Sequence, residues 1–177
     1  LTMAWALAGT TDDLETAHFL SSTLANNINP FVFPVIVFIL AASIAFSTGS
    51  SWSTMAILYP LAIPTCWSIC QSQGIAPDVT MELMLNSIAI VLGASVLGDH
   101  CSPISDTTIL SSLASDCNHI EHVRTQLPYA LTVGIVAISC TFLSTFLGGG
   151  ILVSIILILL SVLVLYLILR QFGTKHD

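Results

Sequence analysis

Residues 151 to 169 are nearly all Leu, Ile and Val. A helix of that composition has no polar face, so it must be covered on every side by protein or by lipid. About 20 such residues span the hydrocarbon of a bilayer. The rest of the chain cannot supply a soluble coat. Of its 177 residues, 55% are hydrophobic and only 7% are charged, where soluble domains carry about 25% charged residues. Mean hydropathy is +0.94. The apolar runs are long rather than short and alternating, which selects helices over a barrel. The chain therefore reads as an all-α polytopic membrane protein. Its three Lys plus Arg cannot form a nucleic-acid footprint. The net charge of −7 comes from scattered acids and points to no partner.

Taken in order, residues 1–9 read as a helix end closed by Gly9. Thr10 to Glu15 reads as the start of an amphipathic helix over 11–27. His18 lies on its polar–apolar boundary. Asn26 to Pro30 breaks that helix. Residues 31–70 hold two apolar arms joined by Ser47-Thr48-Gly49-Ser50-Ser51. The first arm, about 24 Å as helix, is short for a span. The pair reads as a re-entrant helical hairpin, with Pro60 and Pro64 bending the second arm. One long helix with a polar face is the alternative. Residues 71–79 read as a loop, with Asp78 or Thr80 capping the next helix and Glu82 in its first turn. Residues 80–116 read as a broken transmembrane helix. Residues 116–124 read as a polar loop in which His119, Glu121 and His122 form a solvated face. Residues 125–147 and 151–169 read as transmembrane helices, with Pro128 in the first turn of the former. Cys66, Cys70, Cys101, Cys117 and Cys140 form no CxxC pair, and the first two read as small packing residues.

The break in 80–116 is the polar island Gly98-Asp99-His100-Cys101-Ser102-Pro103-Ile104-Ser105-Asp106-Thr107-Thr108. It holds two of the ten acids. Carboxylates at the end of an apolar run are costly and call for a reason. A hard cation such as Na+ binds by exchanging water for hydroxyl, carboxylate and free carbonyl oxygens, which a broken helix supplies. Asp99 falls at a helix C-terminus, where the dipole disfavours an anion unless it holds a cation or a proton. Asp106 is either a ligand or a helix cap. The hydroxyls of Ser47, Thr48, Ser50, Ser51, Ser102, Ser105, Thr107 and Thr108 surround this centre or satisfy backbone at the breaks. Gly49 lets backbone approach closely. His100 is either proton-linked or bonded at a helix end. Asp99, His100 and Cys101 are consecutive and cannot easily converge on one transition metal. A carboxylate withdrawn from water favours its protonated form, so cation and proton can compete for one site. That competition suffices for exchange once the site faces each side in turn.

Phe46-Ser-Thr-Gly-Ser-Ser-Trp-Ser-Thr, the central Gly98–Thr108 string and His122-Val-Arg-Thr-Gln-Leu-Pro-Tyr-Ala resemble the C-terminal half of NhaC-type Na+/H+ antiporters. The likeness extends over most of residues 1–147. Ser53 stands where that family commonly has Gly after Trp. The resemblance implies an ion-transporter fold of two inverted repeats, each with a re-entrant hairpin and a broken helix meeting at mid-membrane, of which this chain holds the second. It implies Na+/H+ exchange; the chemistry of the residues themselves puts the expected Na+ at Asp99, Asp106 and Thr48. A Na+- or H+-coupled carrier of a small organic acid or amino acid is the alternative within the family. No Arg or Lys lies near the island to pair with an anion, which favours the bare cation.

No nucleophile–base pair or cofactor motif speaks for an enzyme, and Na+ and H+ are the only small species called for. A channel or an assembly subunit is a weaker reading. The implied partners are the lipid bilayer, an N-terminal repeat in the same or another chain, and a homodimer mate. The expected location is the cell membrane. Arg170 and Lys175 place the C-terminus in the cytoplasm, and Arg124 falls on the same side two spans back.

Overall fold

The structure, a computed structural model, describes residues 2–24 and 27–173. Leu1, Asn26, Lys175 and His176, used in the readings above, lie outside the described residues. Eight helices and no strand occur among those described: α1 (Thr2–Asp13), α2 (Thr16–Leu24), α3 (Phe33–Thr48), α4 (Ser51–Ser72), α5 (Pro77–Cys101), α6 (Asp106–Ala114), α7 (His119–Phe146) and α8 (Gly150–Phe172). By length and composition, α4, α5, α7 and α8 can each cross a membrane. This is an all-α polytopic membrane protein.

The core lies where α3, α4 and α5 meet. Buried positions on α3 (Phe33, Val37, Ala41, Ala45) recur every fourth residue and form one stripe. On α5 the buried set Leu83, Ser87, Ile90, Ala94 and Gly98 recurs every three or four residues. Small residues bring these helices together. A Cβ on Gly98 would meet Ala45 Cβ at 2.8 Å and the Phe46 nitrogen at 2.9 Å, besides the Ala42 carbonyl. Small residues of this kind are what let membrane helices approach through their backbones. Cys66 and Cys70 are buried in the core, and Ser87 Oγ reaches Cys66 Sγ at 3.7 Å. Helix α7 packs on α5 and α3, and α8 packs on α7. Both leave large apolar side chains such as Ile135, Ile156 and Leu159 outside, where lipid is the solvent.

Several helix boundaries differ from the sequence expectations. Gly9 does not close a helix. α1 runs through it to Asp13, with the Thr10 and Thr11 hydroxyls bonded back to the Ala6 and Ala8 carbonyls. The turn comes at Glu15 in the left-handed region, so α2 starts at Thr16. α4 continues through Pro60 and Pro64 to Ser72. α5 starts at Pro77 behind Ala76, with no side-chain cap, so neither Asp78 nor Thr80 serves as one. Pro needs no backbone partner there. Glu82 lies beyond the first turn of α5, and its carboxylate sits instead at the start of α8, 3.0 Å from where a Cβ on Gly149 would stand. An acid is favoured at that helix N-terminus too. Gly98 does not end α5, which runs on to Cys101. α7 begins at His119, because Asn118 Oδ1 accepts from the Ile120 and Glu121 amides. His119, Glu121 and His122 are thus helical rather than in a loop, and Pro128 lies well inside α7.

Two glycines of α5 test the packing account. Gly98→Ala should lower the melting temperature of the detergent-solubilised protein, since overpacking costs about 1–3 kcal/mol. Gly93 has nothing within 4 Å of its Cβ position, so Gly93→Ala should leave melting unchanged or raise it. Equal melting of the two variants contradicts the close approach of α3 and α5.

Candidate functional site

The chain has two polar interruptions, and the fold brings them into contact. The first is the α3–α4 tip. Gly49 closes α3 with φ +64°, and its amide bonds to the Ala45 carbonyl. Ser50 then caps α4 by accepting from the Ser53 amide. The second is the segment 102–105 between α5 and α6. A Cβ on Gly49 would lie 2.9 Å from the carbonyl carbon and oxygen of Ile104 and from the Ser105 amide nitrogen. Gly49 therefore meets two demands, a left-handed backbone and a neighbour that leaves no room for a side chain.

Asp99 lies in the last turn of α5 and is half-buried. Ser105 occupies the N-cap position of α6 but makes no capping bond. Its hydroxyl instead donates to Asp99 Oδ1 at 2.6 Å, and it stands 2.7 Å from Thr107 Oγ1. A hydroxyl has one proton. With Ser105 donating to the carboxylate, Thr107 must donate to Ser105. The result is a relay of Thr107, Ser105 and Asp99 across the break. The carboxylate is acceptor-only when ionised, so it is the natural seat for a cation or a proton.

Other candidates take separate positions. Asp106 is exposed, and its Oδ1 accepts from the Thr107 amide at 2.8 Å. Ser47 and Thr48 are exposed, and their hydroxyls bond back to the Ser43 and Ile44 carbonyls. Ser51 is buried at the start of α4. Ser102 is buried, and its Oγ accepts weakly from the Ile104 amide. His100 is exposed, and its carbonyl accepts from Gln126 Nε2 at 2.7 Å. Thr108 is buried, and its hydroxyl has no partner. Thr108, Thr107, His100, Gln126 and Tyr129 are among the residues lining an open cleft of about 640 Å3 between α6, α7 and the end of α5.

Sequence reasoning passed over three side chains here. Ser95 is fully buried with an unpartnered hydroxyl. It precedes Asp99 by four residues, which puts the two on one helix face. That spacing was the available signal. Gln126, whose Oε1 is buried without a partner, and His119, which bonds to the break, carried none.

A broken helix and a helical hairpin meeting beside a carboxylate is an arrangement found in membrane transporters. Residues 1–146 match the Na+/H+ antiporter family, and the chain belongs to that family. It is 46% identical over 133 residues to an uncharacterized protein of Haemophilus influenzae. It is 30% identical over 127 residues to the arginine/ornithine antiporter ArcD of Halobacterium salinarum. It is 28% identical over 123 residues to the malate-2H(+)/Na(+)-lactate antiporter of Bacillus subtilis. These matches take in 75%, 72% and 70% of the chain. They cover 24% of each relative, so the chain spans about a quarter of the length of the proteins it matches. No solved structure matches it. The family it belongs to is one of antiporters, not of enzymes.

Gly49 and Gly74 separate strain from contact. Both have a φ near +65°, but a Cβ on Gly74 meets nothing within 4 Å. Gly74→Ala should cost only the backbone strain, about 1 kcal/mol, and Gly49→Ala distinctly more. Thermal denaturation in detergent compares them. Equal losses contradict a tight junction between the tip and the break.

Proposed function

We propose that this chain forms the second repeat of a secondary transporter that exchanges Na+ for H+, with Asp99 as the ionisable centre. The observation that carries the proposal is the Asp99 carboxylate receiving the Ser105 hydroxyl where the helix break meets the hairpin tip. Na+ and H+ compete for that carboxylate, and the Ser105 and Thr107 hydroxyls add hard oxygen ligands. Asp106 and Thr48 contribute from the periphery. The first repeat, in the same or another chain, covers the polar groups that this chain leaves exposed near the junction, Ser47, Thr48 and Asp106. The transporter sits in the cell membrane with its C-terminus in the cytoplasm, by the excess of cations on that side.

The organic-solute reading rests on a different observation. The cleft of about 640 Å3 beside the break falls within the size range of small-molecule sites, and two relatives are named for organic solutes.

Everted vesicles carrying the full-length transporter and a preset pH gradient distinguish these readings. Na+ should collapse the gradient in wild type, and Asp99→Asn should reduce that response at least about tenfold. Ser105→Ala, which removes a hydrogen bond to a charged group worth about 1.5–3 kcal/mol, should raise the Na+ concentration needed for half-maximal exchange by roughly ten- to a hundredfold. No response to Na+ in a folded wild type sinks the Na+/H+ reading. Counterflow of malate, lactate or arginine in the same vesicles then tests the solute carrier.

A further inference from the structure

We propose that His119 is a positioning residue for this ion site: its imidazole holds the interrupted segment 102–105 against α6, and so holds the Ser105 hydroxyl on Asp99. The proposal rests on the ion site of the preceding subsection. His119 is the first residue of α7 and is half-buried. Its Nε2 lies 2.7 Å from the Pro103 carbonyl oxygen. Its Nδ1 lies 3.1 Å from Ser112 Oγ. Ser112 is itself buried on α6, and its hydroxyl also stands 2.8 Å from the Thr108 carbonyl, so with the ring proton on Nε2 the single Ser112 proton serves either Nδ1 or that carbonyl. One imidazole thus ties three pieces together: the start of α7, the break and the last turn of α6.

The Pro103 carbonyl lies outside both helices, and among the described residues it receives no other hydrogen bond. A carbonyl can only accept, so Nε2 must carry a proton and donate it there. An unmet carbonyl in an apolar protein is costly, so the break has reason to follow His119. Pro103 precedes Ser105 by two residues. Ser105 in turn contacts Gly49 through its amide nitrogen and Asp99 through its hydroxyl. A shift of Pro103 therefore moves the hydroxyl that faces the carboxylate. His119 touches neither Asp99 nor Ser105 directly and acts through the backbone between them. Two neighbours on α7 do not duplicate it. His122 faces Cys117 at 3.9 Å, and Glu121 pairs loosely with Arg124 at 3.9 Å.

The test uses the full-length transporter with His119→Leu, His119→Gln and Ser105→Ala, singly and with His119→Leu combined with Ser105→Ala. Two quantities are read: the Na+ concentration giving half-maximal exchange, and hydrogen–deuterium exchange of the backbone amides in 102–107. His119→Leu should raise the Na+ requirement about tenfold with little change in maximal rate, and should speed amide exchange in 102–107. His119→Gln keeps a side-chain N–H for Pro103 and should restore both to within about threefold of wild type. In the Ser105→Ala background, His119→Leu should raise the Na+ requirement little further, because its effect runs through Ser105. Full additivity of the two substitutions, or unchanged amide exchange in His119→Leu, overturns the proposal. Should His119→Leu fail to fold, Ser112→Ala removes the Nδ1 contact together with the Ser112 bond to the Thr108 carbonyl and should move both readouts in the same direction by a smaller factor, whereas Ser111→Ala, which loses only a bond to that same carbonyl, should move neither. Unchanged readouts in a folded Ser112→Ala then overturn it. A wild type that ignores Na+, with amide exchange still faster in His119→Leu, sinks the Na+ reading and leaves the hold on the break standing.

Discussion

The contact between Gly49 and the Ile104–Ser105 peptide is the constraint on which the rest of the site depends. Each interruption alone would expose unpaired backbone groups inside an apolar protein, and such groups are tolerated only where protein or a watery cavity surrounds them. Setting one interruption against the other meets that condition. The tip closes through the Gly49 amide and the Ser50 cap. The break closes through Ser102, whose amide bonds to the Asp99 carbonyl, and through His119 on Pro103. Once those demands are met, the hydroxyl of Ser105 is released from capping duty and is available to Asp99.

The packing behind the junction makes the contact geometrically available. Ala45 on α3 faces Gly98 on α5, and the small residues Ala41 and Ala94 are fully buried on the same two helices. Larger side chains there would push α3 outward and carry Gly49 away from Ile104. This packing and the junction lie on the same pair of helices, so stability and function are coupled through them. Polar atoms left unpaired near the break, Thr108 Oγ1 and Gln126 Oε1, mark where satisfaction stops. Both residues line the cleft, with these two atoms turned away from its open space.

Much of this was legible in the sequence, because lipid imposes simple rules. Apolar runs of sufficient length identify helices α5, α7 and α8 without tertiary knowledge. The hydroxyl-rich tip and the Gly98–Thr108 island stand out because polar residues are rare in this chain. Boundaries were less legible where a tertiary partner or a cap decides them. Gly9 and Gly98 look like helix stops, yet one simply sits in a continuing helix and the other serves close packing. His119 looks like a solvated loop residue until Asn118 is seen to start a helix there. The spacing of Asp99 and Ser105 says nothing about which proton goes where, since that depends on the path of four residues between two helices. Asp106 and Asp99 look equivalent by composition, and only the fold separates a half-buried carboxylate from an exposed one.

The central claim, that one carboxylate at the junction trades a proton for Na+, is tested most directly by infrared difference spectroscopy on the full-length transporter in lipid, before and after Na+ is added. The account predicts loss of a protonated carboxyl C=O band and gain of a carboxylate band, with both changes absent in Asp99→Asn. The same band pair persisting undiminished in Asp99→Asn would contradict it, because the exchanging proton would then belong to another group.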